Sequence, residues 1–138
     1  MRALSAEATL RLPVRLHGIP LGRPVDILVD ATHWRVLGFV VHCGDGTTRF
    51  LAWPAASVRP DEIAVGSALM LLEDVEFYRS RGRSFRGLVG QPLEGGDVLT
   101  DLVIAGDGQV QEFVLSHDGE ERRLPPGHSA LAGSGEAA

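Results

Sequence analysis

The chain says much of what it has to say twice. Gly18-Ile19-Pro20-Leu21 is followed by Val25-Asp26-Ile27-Leu28-Val29-Asp30 and then Val36-Leu37-Gly38-Phe39-Val40-Val41. Gly90-Gln91-Pro92-Leu93 is followed by Thr100-Asp101-Leu102-Val103-Ile104 and then Val110-Gln111-Glu112-Phe113-Val114-Leu115. Each stretch runs Gly-x-Pro-Leu, then Asp with three apolar residues, then a polar turn, then a strand ending Phe-Val-aliphatic. Gly18 and Gly90 are 72 residues apart, and Asp26 and Asp101 are 75 apart, so small gaps fall in the turns. Two units are too few for a solenoid. They indicate duplication of a small β element.

The strands are short and rich in β-branched and aromatic residues. Asp45-Gly46, Asp107-Gly108 and Asp118-Gly119 separate apolar runs. Asp-Gly in that setting predicts type I′ hairpin turns, with positive φ at both central residues. No helix follows these glycines, which argues against phosphate-cradling loops. In Val36 to Cys43, strict alternation puts Leu37, Phe39, Val41 and Cys43 on one face and Val36, Gly38, Val40 and His42 on the other. Both faces are apolar, so the strand is expected to be covered on both sides, with the second unit as the cover. Glu112 and Gln111 stand where Gly38 and Leu37 stood, so the second strand is more polar. Glu73 to Gly82 reads as a short helix, with acids first, arginines last and Gly82 closing it.

The expected fold is mostly β: a duplicated SH3-like small barrel with one short helix between its units. The expected division is a lead (1–10), a first unit (11–72), a helix and linker (73–83), a shortened second unit (84–125) and a small, polar, disordered tail (126–138).

Composition removes several functions. The 138 residues carry a net charge of −5, which favours neither nucleic acid nor an anionic membrane as partner. All 13 basic residues are arginine. Without lysine there is no Walker A phosphate lysine and no Schiff-base lysine. Cys43 is the single cysteine, so no internal disulfide is expected, in keeping with a reducing cytoplasm. Glu7 interrupts any apolar leader, and no run approaches the roughly 20 residues of a membrane helix, so direct membrane insertion is not expected.

The chain resembles the PRC-barrel family. The resemblance rests on the Gly-x-Pro-Leu opening, on residues 25 to 30, on Arg35-Val36-Leu37-Gly38-Phe39-Val40-Val41, and on Phe50-Leu51-Ala52-Trp53-Pro54 with Ala55-Ala56-Ser57-Val58. Residues 11 to about 72 carry it best, and 84 to 125 resemble a shortened second copy without a counterpart to the segment after Trp53. It implies an SH3-like β-barrel that serves as an adaptor surface. The family includes the cytoplasmic part of a photosynthetic reaction-centre subunit and the C-terminal domain of a ribosome maturation factor. This chain has neither the membrane helix of the first nor a clear partner domain ahead of the barrel like the second, so neither role transfers, and the family supplies no catalytic residues.

Few side chains offer chemistry. His42 and Cys43 are strand neighbours pointing to opposite faces, which is poor geometry for a nucleophile and its base. Cys43 is expected to be a buried small hydrophobe. The histidines at 17, 33, 42, 117 and 128 lack metal-ligand spacing. Asp26 and Asp30 lie about 13 Å apart on one strand, too far to share an ion. Asp26 and Asp101 are better explained by a shared hydrogen-bonding role at each strand start. No catalytic, metal or cofactor site is expected. Two surface features remain. Tyr78, Arg79, Arg81, Arg83 and Arg86 interleave cations with aromatic residues, a pattern that grips phosphates and stacks bases, or else forms a solvated helix end and linker. Trp34 sits near a turn, either as an exposed protein anchor or as core packing.

The leading expectation is a cytoplasmic, non-catalytic protein-binding adaptor, with a homodimer among the possible states. An RNA- or ribosome-associated factor using Arg79 to Arg86 is the alternative. A small hydrolase ranks last, because acid, base and nucleophile do not come together.

Overall fold

A computed structural model describes residues 3–126. The chain runs β1 (Leu4–Ser5), α1 (Ala6–Thr9), β2 (Val14–Leu16), β3 (Ile19–Asp30), β4 (Arg35–Cys43), β5 (Thr48–Ala52), β6 (Ala56–Val58), β7 (Ile63–Val65) and β8 (Leu71–Leu72). It continues through α2 (Val75–Arg79), β9 (Arg83–Ser84), α3 (Phe85–Leu88), β10 (Val98–Ile104), β11 (Val110–His117) and β12 (Glu120–Leu124). The protein is mostly β, and its curled sheets form a half-barrel. One sheet is ordered β6-β7-β2-β3-β4-β5-β8, with β9 also on β3, and the other is ordered β1-β10-β11-β12. The tail expected over 126–138 lies outside the described residues from 127 onward.

The sheets exchange elements. Strand β1 pairs not with the first sheet but with β10, Ser5 opposite Val103. Conversely β9 pairs with β3, Ser84 opposite Leu28. Each short strand leads into a four-residue helix whose serine caps it: Ser5 Oγ accepts from Ala8 N at 3.1 Å and Ser84 Oγ from Gly87 N at 3.0 Å. Asp26 accepts from Ser84 Oγ, from Arg86 N (3.0 Å) and from Ile27 N (2.8 Å). Asp101 accepts from Ser5 Oγ, from Glu7 N (2.9 Å) and from Leu102 N (2.8 Å). The shared role expected for the two aspartates is therefore a clamp on a helix start that comes from the other part of the chain. Backbone and hydroxyl donors satisfy both carboxylates, which half-buried carboxylates require.

A main core joins the two sheets. Ile27, Phe39, Leu51 and Phe85 pack in one cluster with Leu99, Leu102 and Phe113. A smaller cluster of Leu28, Val40, Phe50 and Val75 lies on the outer side of the first sheet, beneath α2. So β4 is covered on both faces as expected, but its second cover is the linker helix rather than the second unit. Tyr78 of α2 stacks on Phe50 with ring centres 4.0 Å apart.

Strict alternation along β4 also fails, for a local reason. Leu28 faces Gly38 and Val29 faces Val36, so Leu37 is an extra residue in the ladder. Such a bulge reverses the facing of everything beyond it. Val36 therefore joins Phe39, Val41 and Cys43 in the main core, while Leu37 packs with the outer cluster. Gln111 is the extra residue at the matching place in β11. Further bulges fall at Val25 in β3 and Thr100 in β10, each immediately before its aspartate.

Two turns differ in type from the expectation. Asp118 (φ 51°) and Gly119 (φ 83°) both have positive φ, as a type I′ turn requires. At Asp45-Gly46 only Gly46 is positive (φ 88°), and Gly46 N donates to Cys43 O at 3.0 Å. This is a type I turn closed by a glycine bulge. Gly108 (φ 95°) does the same, its N–H donating to Ala105 O at 2.9 Å. The expected helix after Glu73 exists as α2, capped by Asp74, but it ends at Ser80 and not at a glycine cap. Gly82 serves close approach instead: a Cβ there would lie 2.8 Å from Leu37 Cδ1.

Candidate interaction surface

Trp34 is buried, 6% exposed, with its ring edge-on to Phe113 at 4.7 Å. Of the two readings for this residue, core packing is the one found. Its backbone explains its position. Trp34 has φ 50°, its C=O accepts from Val110 N (2.8 Å), and Val36 N donates to Gly108 O (2.8 Å). These reciprocal bonds join the turns of the two sheets. Gln109 Nε2 adds bonds to His33 O and Trp34 O.

The residues of the arginine-aromatic run are engaged by different partners. Arg79 at the end of α2 pairs with Glu76 (3.6 Å). Arg81 lies over the Phe77 ring at 4.4 Å. Tyr78 is occupied by Phe50. Arg83 sits in β9 opposite Val29 and has no ion pair among the described residues. Arg86 is engaged by Val25 O (3.1 Å) and by Glu7 (3.7 Å). Among the described residues Arg81 and Arg83 are thus the two of the four without an acidic partner.

A different surface is apolar and exposed. The 3-10 turn Ala68–Met70 starts from a Ser67 cap and presents Leu69 at 86% and Met70 at 43% exposure. Beside it Pro20, Leu21, Cys43, Gly44 and Leu71, together with Asp45 and Arg49, line an open groove of ≈ 440 Å³. Ile19, next to Pro20, is 63% exposed. An exposed Leu is ordinary alone; here several large apolar side chains are exposed about one groove. The sequence marks this segment only as the apolar run Ala68 to Leu72, which resembles a strand.

A second cluster that sequence spacing does not reveal surrounds Asp97. His117 Nδ1 lies 2.9 Å from Asp97 Oδ1, and Arg122 donates to Asp97 Oδ2 at 3.0 Å. Among the described residues the close His117–Asp97 contact is not made as a hydrogen bond, and neither atom has another partner. The cluster ties the turn before β10 to the β11–β12 hairpin. Cys43 is 6% exposed and His42 points away from it. Among the described residues no group of three or more His, Cys, Asp or Glu could hold a metal ion, and no helix is long and apolar enough to cross a membrane. Two turn carboxylates are held below their usual range: Asp30 chiefly by its bond to the His33 ring, and Asp45 chiefly by the Thr47 hydroxyl.

Comparison with models of known protein families finds none that matches the chain. Comparison with curated proteins finds no match either.

Proposed function

We propose that this protein is a non-catalytic protein-binding adaptor of the PRC-barrel type, two SH3-like units fused through one core. Matching clamps at Asp26 and Asp101, and matching bulges before each and at Leu37 and Gln111, support reading the chain as a duplication. The observation that carries the binding function is the exposed apolar turn Leu69-Met70 beside the Pro20-Leu21 groove. A rigid β framework that lifts two large apolar side chains into solvent fits a partner contact better than it fits catalysis.

The test is affinity capture from the protein's own host at low and high salt, with Leu69→Ser/Met70→Ser as comparison. The adaptor reading expects a defined partner retained at high salt and lost in the variant, whose thermal midpoint is unchanged. A partner held equally by both proteins would place the contact elsewhere.

RNA binding through Arg79, Arg81, Arg83 and Arg86 is the weaker reading, because Glu76 and Glu7 already engage Arg79 and Arg86.

A further inference from the structure

Strand β12 pairs with β11 on one side, and nothing among the described residues pairs with its other edge. Its sequence is Glu120-Glu121-Arg122-Arg123-Leu124. Charges on an edge strand ordinarily discourage pairing. Here their order matters.

The two-residue turn Asp118-Gly119 sets Glu120 opposite His117. That closing pair exchanges hydrogen bonds, and in an antiparallel ladder bonded and non-bonded pairs alternate. The N–H and C=O of Glu120, Arg122 and Leu124 therefore point at β11, and those of Glu121 and Arg123 point out from the edge. A second antiparallel strand must set outward-pointing residues opposite one another. Three two-fold registers do so, centred on residue 121, 122 or 123. The first puts Glu121 against Glu121, and the third puts Arg123 against Arg123. The middle one puts Glu121 against Arg123 twice. On the inner face the middle register sets Arg122 against Arg122 and the first sets Glu120 against Arg122 twice, but Asp97 already neutralises Arg122 at 3.0 Å, so the outer-face pairs decide. Opposite charges directly across a sheet attract and like charges repel, and the middle register is favoured.

We propose that two copies of this chain associate by antiparallel pairing of their β12 strands about an axis at Arg122, with Glu121 of each copy facing Arg123 of the other. The two sheets then form one. Glu121 and Arg123 lie on the outer face, joined along the edge by a 3.0 Å bond. Arg123 also reaches Glu112 of β11 at 3.5 Å, so pairing with the second copy adds a partner to a half-exposed guanidinium that its own chain already holds. Arg122 lies on the inner side, where Asp97 neutralises it at the axis. Pro125 limits the paired length to five residues, which makes the dimer weak and reversible.

Sedimentation of the full chain, from about 10 μM to about 1 mM, should show a monomer–dimer equilibrium. Arg123→Glu and Glu121→Arg should each raise the dissociation constant about tenfold or more, and Glu121→Arg/Arg123→Glu should restore it. Far-UV circular dichroism checks that these exposed-site variants fold. Arg122→Cys, on the axis, should oxidise to a disulfide-linked dimer faster than Glu121→Cys, whose two thiols would be offset along the strands. A full chain that is monomeric throughout overturns the proposal, as does a dimer indifferent to the single reversals. A chain that dimerises only when ended at Pro126 would put its own later residues on the edge, and overturns it as well.

Discussion

Glu7 and Arg86 hold matching places in the two exchanged helices and meet each other. Each lies two residues after its capping serine, and each backbone N–H donates to the clamp aspartate of the opposite sheet. Their side chains then pair across the contact at 3.7 Å. The backbone bonds and the ion pair differ in weight, which leads to the first prediction.

Asp26→Ala and Asp101→Ala should each destabilise by about 1–3 kcal/mol, since each orphans a serine hydroxyl and two backbone N–H groups. Glu7→Ala should cost about 0.5 kcal/mol or less, because both partners are solvated. Urea midpoints measure this. A Glu7→Ala loss as large as that of Asp101→Ala would show that the ion pair, not the clamp, holds the helices.

Gly46→Val should cost about 1 kcal/mol or more, because a β-branched residue resists φ 88°. Gly38→Ala should cost more than Gly46→Ala for a separate reason. A Cβ at residue 38 would lie 2.7 Å from Phe50 Cζ and 2.9 Å from Ala52 Cα, whereas at residue 46 it would meet nothing. Equal thermal midpoints for the two alanine variants would contradict the crowding at β4 and β5.

Asp30 and Asp45 are more acidic in the folded chain than when free. Each therefore contributes stability that is fully present above the ordinary carboxylate range, near about 4, and is lost as pH falls through the lowered folded value. Asp30→Asn/Asp45→Asn should be less stable than the parent at pH 7, with the gap closing toward about pH 2. Thermal midpoints across that range test it; a gap constant with pH would sink the assignment.

With Arg79 and Arg86 engaged by carboxylates, a mixed RNA oligomer should bind weakly or not at all near physiological salt. Four arginines gripping four phosphates would give a log–log salt slope of about −3 on single strands, and Arg81 with Arg83 alone about −1.4. Fluorescence anisotropy across a salt series decides. Tight binding with the steeper slope, lost when all four arginines become glutamine, would reverse the preference for a protein partner.

Much of this structure is written locally. The β-branched runs, the glycines that supply positive φ and the acids at the start of α2 act within a few residues of themselves, so their pattern is visible in the chain. Asp26 and Asp101 were legible as equivalents because the residues after each repeat. Other features depend on which distant strand lies alongside. The exchange of β1 and β9 was hidden because two-residue strands and four-residue helices are too short to show a period. Leu37 looked like a core residue until pairing with β3 made it a bulge and turned Val36 inward. Trp34 could have faced solvent; the reciprocal bonds to Gly108 and Val110 hold it against Phe113. The apolar segment at Leu69 reads as a strand in sequence and becomes a protruding turn only when Ser67 caps it beside Pro20. Local chemistry thus chose the elements, and long-range backbone pairing, which no short window encodes, chose their partners and the faces they show to water.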